Sequence, residues 1–81
     1  MRRAIFLAIL SMMVLPAQAS RAITDTERAK LVAAIAGQGC SGGKMVWDDT
    51  HFEVDEVVCD GQRYDMKFDG NFQLVDKRLE R

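Results

Sequence analysis

The sequence predicts an α+β fold in which one N-terminal helix packs on a four-stranded antiparallel meander sheet. Three observations predict this class. A capped segment with apolar residues at helical spacing comes first, over residues 24–36. Segments with apolar and polar residues in alternation follow, between residues 44 and 75. The turns between them all place the apolar residues of neighbouring strands on one face, and this agreement supports the class.

The predicted helix begins at a capping box. Thr24 is the expected N-cap, and Glu27 is placed to accept a hydrogen bond from the Thr24 amide. The helix is expected to run through Ala36, with Gly37 as its C-cap. An apolar stripe would face the sheet, and it comprises Leu31, Val32 and Ile35. The residues before the cap, 20–23, are expected to be a short lead-in without regular structure.

The first predicted strand covers residues 44–47, and a four-residue turn at 48–51 leads into the second. In the second strand the apolar residues change phase, because Phe52 and Val54 are even-numbered whereas Val57 and Cys59 are odd-numbered. One extra residue near 55–56 would restore the alternation, so a β-bulge is expected there. A strand broken in two is the alternative. Asp60-Gly61 then predicts a tight hairpin that sets Val57 opposite Tyr64.

The last hairpin is predicted at Asp69-Gly70-Asn71. A three-residue loop pairs Phe68 with Phe72 and Met66 with Leu74, and it keeps one face apolar. A two-residue loop would mix charged and apolar side chains, so burial favours the longer loop. Asn71 is expected in the left-handed conformation, and residues 77–81 form a charged end that is expected to fray. The face turned to the helix then comprises Met45, Trp47, Phe52, Val54, Val57, Cys59, Tyr64, Met66, Phe68, Phe72 and Leu74.

The first 19 residues have the pattern of a secretory signal peptide. Arg2 and Arg3 precede an apolar run from Ala4 to Leu15, and small residues surround the expected cleavage site after Ala19. The apolar run is too short to span a bilayer, which takes about 20 residues, so no membrane insertion is expected after cleavage. The remaining residues, 20–81, are predicted to form one domain. Loss of two arginines takes the formal net charge from −1 to −3, which is unfavourable for nucleic-acid binding.

Two cysteines, Cys40 and Cys59, are predicted to form a structural disulfide, because an even count in a small exported chain favours one. Their spacing does not fit a redox C-x-x-C pair, and two cysteines are too few for a zinc site. Closing a loop of about 20 residues would stabilise the fold by roughly 3 kcal/mol in the chain-entropy interpretation.

The candidate functional residues are one histidine, a group of acidic residues and one face of the sheet. His51, the only histidine, is expected to be an ordinary surface residue in a turn. Calcium needs six to eight oxygens in a defined loop, and no such loop pattern surrounds the acidic residues, so no metal or cofactor is expected. Those acidic residues are Asp48, Asp49, Glu53, Asp55 and Glu56. A partner-binding surface is predicted on the sheet face away from the helix, at Val46, Val58, Arg63, Lys67 and Val75. Strand 44–47 is also a candidate edge that could accept an added peptide strand.

The order of elements, ending in Tyr64-Asp-Met-Lys-Phe-Asp-Gly-Asn-Phe-Gln-Leu-Val75, resembles the PepSY domain. The resemblance extends from Thr24 to Leu79 and is greatest to the small, exported, single-domain PepSY-like proteins of Gram-negative bacteria. It implies a helix packed on an antiparallel sheet, located in the periplasm or outside the cell. PepSY domains occur in propeptides of thermolysin-type metallopeptidases, which implies a protein or peptide partner and a peptidase-modulating role. The family supplies no catalytic residues.

The function expected from sequence is therefore a non-enzymatic periplasmic or secreted binding module, with a protease as one candidate partner. A small ligand- or metal-binding envelope protein is the alternative, suggested by the acidic turn and strand. An enzyme is the least favoured class, because about 60 residues with one exposed histidine leave little room for a water-excluding cleft.

Overall fold

The structure is a computed structural model that describes residues 20–80. The predicted signal peptide, residues 1–19, lies outside the described residues, as does Arg81. The elements in chain order are β1 (Ser20–Arg21), α1 (Asp25–Gly37), β2 (Cys40–Ser41), β3 (Lys44–Asp48), β4 (His51–Cys59), β5 (Gln62–Phe68) and β6 (Leu74–Leu79).

The fold class predicted from sequence is wrong. The described chain is mostly β, with one short helix and a six-stranded antiparallel sheet in place of four strands under a helix. The strand order is β1-β3-β4-β5-β6, and β2 pairs with β4. The two unpredicted strands have two residues each, so neither is long enough to show an apolar alternation. Tertiary pairing alone makes them strands, and residues 20–21 are therefore not an irregular lead-in.

The helix begins as predicted and ends one residue later than predicted. Thr24 and Glu27 form the reciprocal capping box, with hydrogen bonds of 3.0 and 2.9 Å. The C-cap is Gln38 rather than Gly37, and its amide donates to the Ile35 carbonyl at 3.0 Å. The side chain of Val32 is half exposed, so the buried stripe is narrower than predicted and consists of Leu31 and Ile35.

The register of β3, β4 and β5 agrees with the sequence prediction. Trp47 faces Phe52, which in turn faces Phe68, and Val57 faces Tyr64. The register shifts between Val54 and Val57, which confirms the predicted bulge at residues 55–56. The turn at Asp60-Gly61 is also confirmed, since both residues have positive φ angles, of 55° and 81°.

The predicted register of the last hairpin is wrong. Leu74 rather than Phe72 pairs with Phe68, and Lys77 rather than Leu74 pairs with Met66. The connection is longer than three residues because the Asp69 carboxylate accepts amide hydrogen bonds from Asn71 and Gln73, which closes a wider loop. The left-handed residue is Phe72, with a φ of 63°, and not Asn71.

The charged C-terminal segment does not fray within the described residues. Lys77, Arg78 and Leu79 belong to β6 and pair with β5, so their backbone groups take part in the sheet. The ammonium of Lys77 lies 4.6 Å from the ring centroid of Tyr64, a cation–π contact between β6 and β5.

The core lies between α1 and the sheet face turned to it. The predicted apolar face is confirmed, since its residues are either buried or packed against the buried cluster. Phe72 has no cross-strand partner, but its side chain still lies on this face, because its ring stacks on Phe52 with centroids 5.0 Å apart. The buried residues are Leu31, Ile35, Cys40, Phe52, Val54, Val57, Cys59, Met66 and Phe68.

The predicted disulfide between Cys40 and Cys59 is present. The two residues are direct partners in the β2–β4 pairing, with Cα atoms 4.4 Å apart. Cys40 is thus in a strand, not in a turn after the helix, and the bond joins the segment that follows α1 to the centre of the sheet. Among the described helices, none has the length and apolar character needed to cross a bilayer.

Candidate binding surfaces and the Asp48–His51–Glu53 cluster

One edge of the sheet is partly open. The pairing of β1 with β3 covers only Trp47 and Asp48, so the outer side of Lys44, Met45 and Val46 has no partner strand within residues 20–80. Backbone groups on an unpaired edge can hydrogen-bond to another extended chain. We call residues 44–46 the open edge.

A groove lies beside the open edge, between it and α1. Its volume is about 280 Å³. The groove is lined by Val32, the half-exposed valine of the helix, and by Met45 of the open edge. Arg28 also lines it, and its Nη1 lies 3.8 Å from the Met45 sulfur. The complete lining is Arg28, Val32, Ile35, Ala36, Cys40, Ser41, Gly42, Gly43 and Met45. The groove is therefore mainly apolar, with one guanidinium group.

The predicted partner-binding residues Val46, Val58, Arg63, Lys67 and Val75 do not form one apolar patch. Across the sheet, Val46 is followed by Glu53, Lys67 and Asp76 in successive strands, so charged side chains separate it from β6. Val58 pairs with Arg63, beyond the bulge. Val75 lies at the register shift of β6 and is 58% exposed.

Carboxylates gather around the bulge on β4. Partial burial raises the pKa of Asp55, and the nearby carboxylates of Asp65, Glu53 and Glu56 raise it further, whereas Lys44 lowers it. The Asp65 carboxylate accepts a hydrogen bond of 3.2 Å from the Glu56 amide, which would otherwise lack a partner at the bulge. This part of the acidic segment thus has a structural role.

A second group of side chains meets at the turn between β3 and β4. Asp48 and His51 are direct cross-strand partners, and Glu53 follows His51 by two residues, so all three project from the same face. His51 Nε2 lies 3.1 Å from Glu53 Oε2, and one candidate ligand atom from each of the three residues lies within 4.8 Å of the others. All three side chains are partly buried. We call these residues the His51 cluster.

The hydroxyl of Thr50 lies 3.5 Å from the other ring nitrogen of His51. Hydroxyl, imidazole and carboxylate thus occur in the order found in nucleophilic triads. The hydroxyl contact is long, however, and Thr50 is an exposed turn residue, whereas such triads act in sites that exclude water. The arrangement therefore does not support catalysis.

The sequence predicts His51 as an ordinary surface residue and does not reveal its proximity to Asp48 and Glu53. The available signals were the i, i+2 spacing of His51 and Glu53 on one strand and the turn that sets Asp48 opposite His51.

Comparison with known protein families, curated proteins and solved structures finds no match for this chain.

Proposed function

We propose that this chain is an exported, non-enzymatic binding module that takes an extended peptide segment of a partner protein along its open edge. The observation that carries the proposal is the position of the open edge directly beside an apolar groove. A peptide strand added to Lys44–Val46 would lie about 4.8 Å from β3 and gain main-chain hydrogen bonds there. Its side chains on the helix side would enter the groove.

The groove also indicates the chemistry of the segment. Val32 and Met45 offer apolar contacts, and Arg28 offers a guanidinium group that pairs with a carboxylate. The preferred peptide would alternate apolar residues and carry one acidic side chain. Export is supported by the pattern of residues 1–19 and by the disulfide, since disulfides persist mainly in oxidising compartments. The PepSY resemblance suggests a peptidase as the class of partner.

Selection from a displayed library of random peptides, followed by calorimetric titration of the selected peptides, tests this proposal. Val32→Asp should weaken binding strongly, because it puts a carboxylate into the groove. Val75→Asp is the matched control, since Val75 is similarly exposed but lies on β6, the strand at the opposite edge of the sheet. Failure to select any peptide would contradict the proposed function. Loss of binding in Val75→Asp alone would show that the peptide binds on the sheet face away from the helix.

The peptidase part of the proposal needs its own measurement. The purified oxidised protein is added to a thermolysin-type metallopeptidase, and cleavage of a small chromogenic substrate is followed. Inhibition that is present in Val75→Asp and absent in Val32→Asp would support a peptidase partner at the groove. No inhibition at any ratio would exclude this peptidase class while leaving peptide binding to the selection experiment.

A further inference from the structure

We propose that the His51 cluster is a binding site for a divalent transition-metal ion, with Asp48, His51 and Glu53 as its protein ligands. The site is separate from the peptide groove, because it lies at the turn between β3 and β4 and shares no residue with the groove lining. It is also distinct from an acidic cluster, since an imidazole nitrogen is one of the three donors.

The spacing of the donor atoms fits a common ion. Two ligands bonded to one ion at about 2.0–2.2 Å lie about 3.0–3.5 Å apart in octahedral or tetrahedral geometry. The distance between His51 Nε2 and Glu53 Oε2 is 3.1 Å, within this range. The Asp48 carboxylate is within 4.8 Å of both, so a small side-chain rotation would bring it into coordination. Solvent can supply the remaining ligands, because the His51 and Glu53 side chains are 24% and 31% exposed.

The backbone holds the three donors in place. His51 and Glu53 are on one strand, Asp48 is on its hydrogen-bonded neighbour, and the turn between them is closed by a 2.7 Å hydrogen bond from the Thr50 amide to the Asp48 carbonyl. Ligands on paired strands are positioned more rigidly than ligands on a loop. Lys67 is the cross-strand neighbour of Glu53, yet the Glu53 carboxylate lies 3.1 Å from His51 Nε2. The Glu53 carboxylate is thus directed toward the cluster.

The donor set selects the class of metal. Imidazole with carboxylates suits zinc, copper and nickel, and affinity for such a site rises toward copper in the first-row series. Calcium and magnesium prefer sites made wholly of oxygen ligands, so they should bind more weakly here. In the oxidising compartment proposed for the chain, the cysteines are joined in a disulfide and do not compete as thiolate ligands.

The test uses the protein expressed with its own first 19 residues, which are expected to direct its export, and purified in its oxidised form. Chlorides of copper(II), nickel(II) and zinc are titrated, with calcium and magnesium chlorides as comparison ions. Trp47, the only tryptophan, is adjacent to Asp48, so its fluorescence should be quenched by bound copper or nickel. Zinc binding is measured by calorimetry. We expect the transition ions to bind in a one-to-one complex and calcium and magnesium to give no measurable heat.

Variants then identify the ligands. His51→Ala should weaken zinc binding by at least about tenfold, because changing even a supporting residue of a metal site costs 10–100-fold. Asp48→Asn and Glu53→Gln should weaken binding by a similar amount. Asp76→Asn is the matched control, an acidic residue on a neighbouring part of the same sheet with no place in the cluster. Unchanged affinity in His51→Ala, or an equal loss in Asp76→Asn, would overturn the proposal.

A spectroscopic measurement keeps the test independent of mutant folding. The electron paramagnetic resonance spectrum of the copper(II) complex should show superhyperfine coupling to imidazole nitrogen. Coupling to one imidazole supports the assignment, since His51 is the only histidine in the chain. A copper complex without such coupling, or calcium affinity equal to that of zinc, would show that the carboxylates act only as a diffuse negative surface.

Discussion

Gly43 lies against Val54 so closely that there is no room for a side chain. An ideal Cβ on Gly43 would be 2.5 Å from Cγ1 of Val54 and 3.0 Å from Cγ2 of Val57. Its φ of 108° is also unfavourable for any residue with a Cβ. Gly43 therefore allows the segment between β2 and β3 to pass close beside the bulge of β4.

We expect Gly43→Ala to lower the free energy of unfolding by about 1–3 kcal/mol, because it combines a steric overlap with a left-handed backbone. Gly37→Ala is the control: no atom lies within 4 Å of its added Cβ, and the residue is the last of the helix. That change should be neutral or stabilising by up to about 1 kcal/mol. Urea denaturation of both variants measures the difference, and equal midpoints would contradict this account of Gly43.

The Asp69 carboxylate closes the last hairpin. It accepts hydrogen bonds of 2.8 and 3.0 Å from the amides of Asn71 and Gln73. Asp69→Ala should destabilise the protein by about 1–2 kcal/mol, since two amides lose their acceptor. Asp69→Asn keeps an acceptor oxygen and should retain most of the stability. If thermal denaturation shows the same loss for both variants, the carboxylate charge and not the hydrogen bonding is what matters.

Glu27 links the N-terminus of α1 to β1. The hydrogen bonds of its carboxylate with the Arg21 side chain, and then with the Thr24 amide, lower the pKa of Glu27 from 4.5 to about 2. A carboxyl whose pKa is lowered by folding stabilises the protein above the unfolded value and loses that contribution as the pH falls. Solvent screens the Arg21 pair, so we expect a small effect.

Glu27→Gln tests this dependence, because glutamine can keep the capping hydrogen bonds without the charge. The wild type should be more stable than Glu27→Gln above about pH 4.5, and the difference should shrink between pH 4.5 and about 2. Urea denaturation at a series of pH values in low salt provides the measurement. A difference that does not change over this range would show that the Arg21–Glu27 ion pair does not stabilise the fold.

The disulfide should contribute substantially to the free energy of unfolding, because the core is small. Replacing both Cys40 and Cys59 by serine should lower the free energy of unfolding by roughly 3 kcal/mol, in line with the 19-residue separation of the two cysteines. Denaturation of the oxidised protein, the reduced protein and the double variant gives the comparison. Two free thiols by intact mass after alkylation of the purified native protein would contradict the bond itself.

Local sequence patterns were sufficient for the central hairpins. The helix cap at Thr24, the bulge at residues 55–56 and the turn at Asp60-Gly61 each depend on a few adjacent residues, and the structure agrees with all three. The last hairpin was not predictable in the same way. Its register depends on the hydrogen bonds of Asp69 and on the stacking of Phe72 on Phe52, a residue of another strand. No pattern within residues 69–74 reports that contact.

The sequence by itself determined which face of the central strands is apolar, where the central chain reverses and which cysteines pair, because alternation and turn chemistry act over a few residues. Only the tertiary structure decided that the sheet has six strands, that residues 44–46 remain unpaired beside a groove and that His51 meets Asp48 and Glu53. These features depend on pairing between segments distant in the chain, and two-residue strands and three-residue clusters carry too little local pattern to be recognised beforehand.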